Sequence, residues 1–213
     1  AEAGMLFERR LFPTDATQEE VIHAIEELNR RSDIDAILIQ LPLPPHLDTD
    51  TVVQAMDPSK DVDGFHPENL RAYLEGTGEM PLLVEAVSTL LDSADAVPHG
   101  LACVLANSVV FSAPVETMLS RRGLEATEDV KAADVIVTAL GKPGSLTADM
   151  VKPDAIVIDV GTTRVDEKTV GDADAESLAS VARALTPVPG GVGPVTVALL
   201  LKKTLSLAKL HGK

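Results

Sequence analysis

Short apolar runs alternate along this chain with longer stretches in which apolar residues recur every three or four positions. The runs IDAILIQ (34–40), LACVL (101–105), DVIVTAL (134–140), AIVIDV (155–160) and RALTPV (183–188) predict buried strands. ATQEEVIHAIEELNRR puts Val21, Ile22, Ile25 and Leu28 on one helical face, with Thr17 or Asp15 as its N-cap. LLVEAVSTLLDSA repeats the pattern, and PVTVALLLKKTLSLAKL closes the chain as a third helix. Strands alternating with helices predict an α/β fold built on mainly parallel sheet. Pro98 and Gly100 within SADAVPHG (93–100) mark a domain boundary. The expected organisation is a first lobe over 1–97, a second over 98–190, and a final helix over 191–213 that packs back on the first.

Composition narrows the functions open to such a fold. A formal charge of −15 over 213 residues leaves too few clustered Lys and Arg for a nucleic-acid surface. No uncharged apolar run is long enough for a membrane span, so no membrane partner is expected. The single cysteine, Cys103, lies in an apolar run, which excludes an internal disulfide framework and a cysteine zinc site; the histidines lack metal-ligand spacing, so no metal is expected. Without a visible signal peptide the expected compartment is the cytoplasm. The chain opens at Ala1 rather than Met, so residues are expected upstream.

Four stretches carry candidate chemistry. In QLPLPPHLD, Gln40 follows a strand, where α/β sheets bind ligands; the alternative is a proline-stiffened exit loop with Gln40 bonded to backbone. DPSKDVDGFHPENL (57–70) crowds Lys60, Asp61, Asp63 and His66 together. A calcium loop in the best register would need a bidentate Glu where Leu70 stands, so calcium is excluded. What remains is a carboxylate that binds a ligand through charge-assisted hydrogen bonds, or a turn in which Asp side chains cap backbone amides. GLACVLANSVVFSAP has the strand, turn and helix context of a dinucleotide crevice without its glycines, and ALGKPG and DVGTT end neighbouring strands. TPVPGGVGPVT (186–196) lacks the lysine of a P-loop, but its glycines let backbone approach a ligand and Pro194 suits a first helical turn. A ligand-free turn is the alternative there.

Taken in order, ILIQLPLPPHL, KDVDGFHPENL and TPVPGGVGPVTVALLL resemble the bifunctional methylenetetrahydrofolate dehydrogenase/methenyltetrahydrofolate cyclohydrolase family, over about Gly4 to Leu205. The resemblance implies two lobes, one catalytic and one a Rossmann-type cofactor lobe, a folate cleft between them, NADP (with NAD as the other option) and a homodimer. Gln40 would be the catalytic-site glutamine, with Ile39 and Leu41 beside it. Asp63 would hold the pterin ring, and Pro189, Gly190, Gly191, Val192, Gly193 and Pro194 would lie along the folate. Ala106, Asn107, Ser108, Pro114, Gly141, Gly161 and Thr162 would line the cofactor site.

Four departures accompany the resemblance. The family's Tyr-x-x-x-Lys is absent and would fall before Ala1; its Pro-Cys-Thr-Pro is missing near Pro81; its His-Ser-Lys/Arg-Thr is missing after Arg121-Arg122-Gly123; and Asn107 stands for an arginine. Asn cannot supply the guanidinium fork that suits a phosphate. The alternative function is therefore a noncatalytic homologue that binds folate or serves assembly.

Overall fold

The computed structural model describes residues 4–94 and 99–212. Thr17 caps α1 (Gln18–Arg30): its hydroxyl accepts from the Glu20 amide at 3.2 Å, and the Glu20 carboxylate accepts from the Thr17 amide at 2.8 Å. Val21 and Ile25 are buried with Ile37, Val52 and Met56; Val52 belongs to α2 (Thr49–Gln54). The far end of α1 is closed by Lys60, whose ammonium donates to the carbonyls of Leu28, Asn29 and Arg31 at 3.0, 2.8 and 2.7 Å. Three acceptors and the negative end of the helix offset the cost of burying that charge.

The run 34–40 differs from its expectation. Only Ile37 pairs, in one parallel bridge with Asp61: the Ile37 amide donates to the Lys60 carbonyl at 2.7 Å and the Val62 amide to the Ile37 carbonyl at 3.3 Å. A strand persists only where a neighbour completes its hydrogen bonds, and here the neighbour leaves the short turn Pro58–Lys60 and soon enters α3 (Pro67–Glu75). The apolar α4 (Leu82–Ser93) follows, with Val84, Ala86, Val87 and Leu91 fully buried. Pro98, half of the proposed boundary signal, lies outside the described residues.

The other strands pair as a sheet. β1 (Gly100–Ala106) leads through α5 (Val109–Arg121) to β2 (Leu124–Ala126), after which the chain crosses to β3 (Val135–Ala139) and β4 (Ile156–Asp159). A small antiparallel hairpin of β5 (Thr163–Val165) and β6 (Lys168–Val170), then α6 (Ala175–Leu178), precede β7 (Ala184–Leu185) and the long α7 (Val192–Leu210). The main sheet is wholly parallel, in the order β2-β1-β3-β4-β7. Its strands read as continuous apolar runs because both faces are covered. Val135, Val137, Ile156 and Ile158 meet α4 and α5 through Val87, Leu91, Val115 and Met118. Cys103, Ile136 and Val157 face the opposite way, toward Leu146 and Leu178. Each such large apolar side chain contributes roughly 1.5–3 kcal/mol.

RALTPV pairs only over β7; beyond it the Asp159 amide of β4 donates to the Thr186 hydroxyl at 2.7 Å in place of a backbone carbonyl. The helix α7 packs on α4, and its distal half reaches segments that precede the sheet: Lys203 Nζ donates to the Met80 carbonyl at 3.3 Å beside Gly64, and His211 lies 3.4 Å from Asp35. Among the described residues no helix is long and apolar enough to cross a membrane.

Candidate functional site

The single bridge between Ile37 and Asp61 organises the first half of the site. Because the pairing is parallel, Gln40 and Asp63, three and two residues further on, leave the bridge at the same end. Asp61 is buried and structural: its carboxylate accepts from the amides of Gly64 at 2.9 Å and His66 at 2.8 Å and from Asn69 Nδ2 at 2.9 Å. That turn projects Asp63. No hydrogen bond to its carboxylate occurs among the described residues, and its surroundings push its pKa up to about 6. Burial is the main cause, the Asp61 charge adds to it, and Lys203 opposes it. A half-buried carboxylate without a donor is suited to one supplied by a ligand. Gln40 is exposed, its Nε2 donating to the Leu41 carbonyl at 3.1 Å, which leaves its side-chain oxygen unengaged among the described residues.

The loop 189–194 opens α7. Gly190 has φ of 110°, and a Cβ on Gly191 would sit 2.6 Å from the Pro187 carbonyl oxygen, so neither position tolerates a side chain without rearrangement. No side chain caps the amides of the first turn of α7. Gly193 has open space around it and Val192 is buried in the core beneath. Lys203, further along this same helix, stands beside Gly64 and holds the Asp63 pKa down against burial. Val192 and Lys203 are eleven residues apart, about 16 Å of helix.

The second half of the site lies at the carboxyl ends of β1, β3 and β4. The chain turns from β1 toward β2 and then crosses to β3, so the gap between β1 and β3 is the sheet's switch point, where ligands bind. Ala106, Asn107 and Ser108 form one wall and Gly141 the other; Asn107 Nδ2 spans them, donating to the Leu140 carbonyl at 2.5 Å. Ser108 is the N-cap residue of α5 but makes no side-chain capping bond, so that turn's amides are also uncapped. Gly161 and Thr162 follow β4. Pro114 is placed differently, buried on the core side of α5.

Two aspartates hold these walls. Asp172 accepts from Thr138 Oγ1 at 3.0 Å and from the amides of Leu140 at 2.5 Å and Lys142 at 2.7 Å. Asp159 accepts from the amides of Gly161, Asp172 and Ala173 at 2.9, 3.2 and 2.8 Å; burial outweighs these donors and raises its pKa. A Cβ on Gly161 would overlap the Asp172 carboxylate, so the glycine is required by packing. The sequence reading missed Asp159, Asp172 and Lys203. The first two sit beside the glycines of DVGTT and GDAD, and Lys203 belongs to the adjacent pair Lys202-Lys203 in a largely apolar helix.

The donors at the switch point are uncapped amides at the start of a helix and an Asn side chain, and Gly141, with φ of 65°, has no neighbour where a Cβ would stand. These fit a dinucleotide pyrophosphate held by backbone. A parallel sheet with a crevice suited to a dinucleotide, and before it a carboxylate without a hydrogen bond among the described residues, fit the class of two-lobed, nucleotide-dependent enzymes. Comparison with known proteins makes this specific. The catalytic domain of tetrahydrofolate dehydrogenase/cyclohydrolase matches residues 1–63, and the NAD(P)-binding domain of the same family matches residues 81–212. The bifunctional protein FolD of Salinibacter ruber is 41% identical over 233 aligned positions, spanning 100% of this chain and 78% of that protein. The methylenetetrahydrofolate dehydrogenase/cyclohydrolase of Campylobacter jejuni superposes with a TM-score of 0.84 at 37% identity, over 92% of this chain and 75% of that one. The Trypanosoma brucei enzyme, solved with NADP and an inhibitor, gives 0.87 at 33% identity, over 93% and 74%. This chain belongs to the tetrahydrofolate dehydrogenase/cyclohydrolase family.

Proposed function

We propose that this chain oxidises methylenetetrahydrofolate to methenyltetrahydrofolate with NADP and hydrolyses the product to formyltetrahydrofolate. The observation that carries this reading is the half-buried Asp63 carboxylate, without a hydrogen bond among the described residues, leaving the same end of the bridge as Gln40 and lying in the field of Lys203 on the helix that follows the glycine-rich loop. An aminopyrimidine ring offers a carboxylate two parallel N–H donors, the geometry in which such a group binds most strongly. Asp63 would take the pterin edge. Residues 189–194, a turn running into the first turn of α7, would flank the rest of the folate, their glycines permitting close approach, with Ile39 and Leu41 as apolar neighbours of Gln40.

NADP supplies the hydride acceptor when bound. Ala106, Asn107, Ser108, Gly141, Gly161 and Thr162 would hold it, with Asp159 and Asp172 fixing the loops that carry them. Pro114 would act from within the core of α5. Oxidation removes a hydride from the methylene carbon and leaves a cationic methenyl centre. In the second step water adds to that carbon, a proton is lost, and one carbon–nitrogen bond breaks to release the formyl group. Gln40 can orient the water or the ring through its unengaged oxygen.

The lobes proposed are 1–97 for folate and 98–190 for the cofactor, with 191–213 packing back on the first. A homodimer in the cytoplasm is the proposed working form, with no nucleic-acid, membrane or metal partner. Titration with a folate substrate analogue and with NADP tests the assignment: Asp63→Ala should weaken folate binding and leave NADP binding unchanged. Equal loss of both in a folded variant would contradict it.

A further inference from the structure

In a crevice of this kind the dinucleotide's adenosine ribose lies near the end of the strand that follows the first helix. An acidic side chain about 20 residues beyond the crevice turn accepts from the 2′-hydroxyl, whereas a nearby arginine accommodates a 2′-phosphate. In this chain that strand is β2, which ends at Ala126 and runs into Thr127-Glu128-Asp129-Val130-Lys131. Glu128 falls about 20 residues beyond Asn107.

The groups around it are unequally free. Asp129 is engaged in its own turn: its amide donates to Thr127 Oγ1 at 3.1 Å and its carboxylate accepts from the Lys131 amide at 3.0 Å. The two arginines that close α5 are committed elsewhere. Arg121 donates to the carbonyls of Tyr73 and Leu74 at 2.9 and 3.2 Å and stacks on the Tyr73 ring; Arg122 bonds Ser88 Oγ at 3.0 Å and pairs with Asp92. Glu128 is exposed and makes no hydrogen bond or ion pair among the described residues. Lys131, also exposed, is the single cation of this loop against two carboxylates. The field at β1 is negative in keeping with that balance: the Cys103 thiol is pushed up by burial first, then by Asp129, Glu116 and Glu128.

We propose that Glu128 is the specificity-determining residue of the cofactor site, accepting from the ribose 2′-hydroxyl of NAD and repelling the 2′-phosphate of NADP, so that this chain uses NAD alongside NADP. The proposal rests on the dinucleotide reading of the β1/β3 crevice and concerns only the choice between the two cofactors.

Calorimetric titration of the intact protein with NAD and with NADP tests it, beside Glu128→Gln and Glu128→Arg. Because Glu128 is exposed, both variants should unfold at the wild-type temperature. Glu128→Gln is expected to tighten NADP about ten-fold, by removing a like charge from beside the phosphate, and to weaken NAD a few-fold. Glu128→Arg should move the ratio further in the same direction. An NADP-to-NAD affinity ratio unchanged in both variants overturns the proposal while leaving the crevice assignment intact. Absence of binding of either dinucleotide to the wild type overturns the crevice assignment and the proposal together.

Discussion

Asp63 shows how one residue can work against the fold it belongs to. Its carboxyl has a pKa of about 6, above the ordinary 3.8, so the folded state holds a proton that the unfolded state has lost between those values. Stability at this site is therefore greatest below about pH 4, falls as pH rises toward 6, and stays lower above that. Asp63→Asn should raise stability at pH 8 by roughly 1–3 kcal/mol and change little at pH 4. Denaturant midpoints at the two pH values check this; equal effects at both would contradict the burial argument. Folate binding, which needs the charged form, is expected to strengthen with pH through about 6. In the same variant it should be lost. Asp63 was a candidate from KDVDGF and its companions, but the absence of a hydrogen bond to its carboxylate among the described residues was not legible in the sequence. The Gly64 and His66 amides and the Asn69 side chain donate to Asp61, and the Lys203 ammonium donates to the Met80 carbonyl, which sequence spacing does not reveal.

At the scale of elements, helices and buried strands were readable because their periodicities differ and both faces of the parallel sheet are covered. LACVL, DVIVTAL and AIVIDV emerge as β1, β3 and β4 within a residue or two. IDAILIQ did not become a ladder although its apolar pattern is as strong, because pairing depends on what lies beside it and not on its own residues. The glycine-rich loop makes a local demand of a different kind. Gly191→Ala would press a methyl against the Pro187 carbonyl, and we predict a rise in KM for folate with NADP affinity nearly unchanged. The walls of the crevice depend on Asp172. Asp172→Ala leaves two amides and a hydroxyl without their acceptor, which should cost about 3 kcal/mol and weaken NADP binding more than folate binding. Thermal unfolding and paired titrations measure both effects.

For the whole molecule, the sequence disclosed the order of motifs, and the fold shows which elements carry the proposed site. The first lobe contributes Gln40 and Asp63, the sheet contributes its switch point, and α7 runs from the glycine loop to the first lobe. The three motifs are distant in sequence, and the packing of α4 on α7 and of α3 on α5 brings the segments that carry them together. Cofactor choice was the least legible property. The substitution at Asn107 is visible in the sequence, but the diversion of Arg121 and Arg122 toward α3 and α4 is a fact of packing. The central claim is that both halves act on one folate. Its most direct test is formation of reduced nicotinamide from methylenetetrahydrofolate and NADP or NAD, in wild type and Asp63→Ala. The expected result is turnover that requires both compounds, with kcat/KM reduced roughly ten- to a hundred-fold in the variant and cofactor affinity retained. A folded wild-type protein that binds folate and dinucleotide yet forms no reduced nicotinamide would contradict the account.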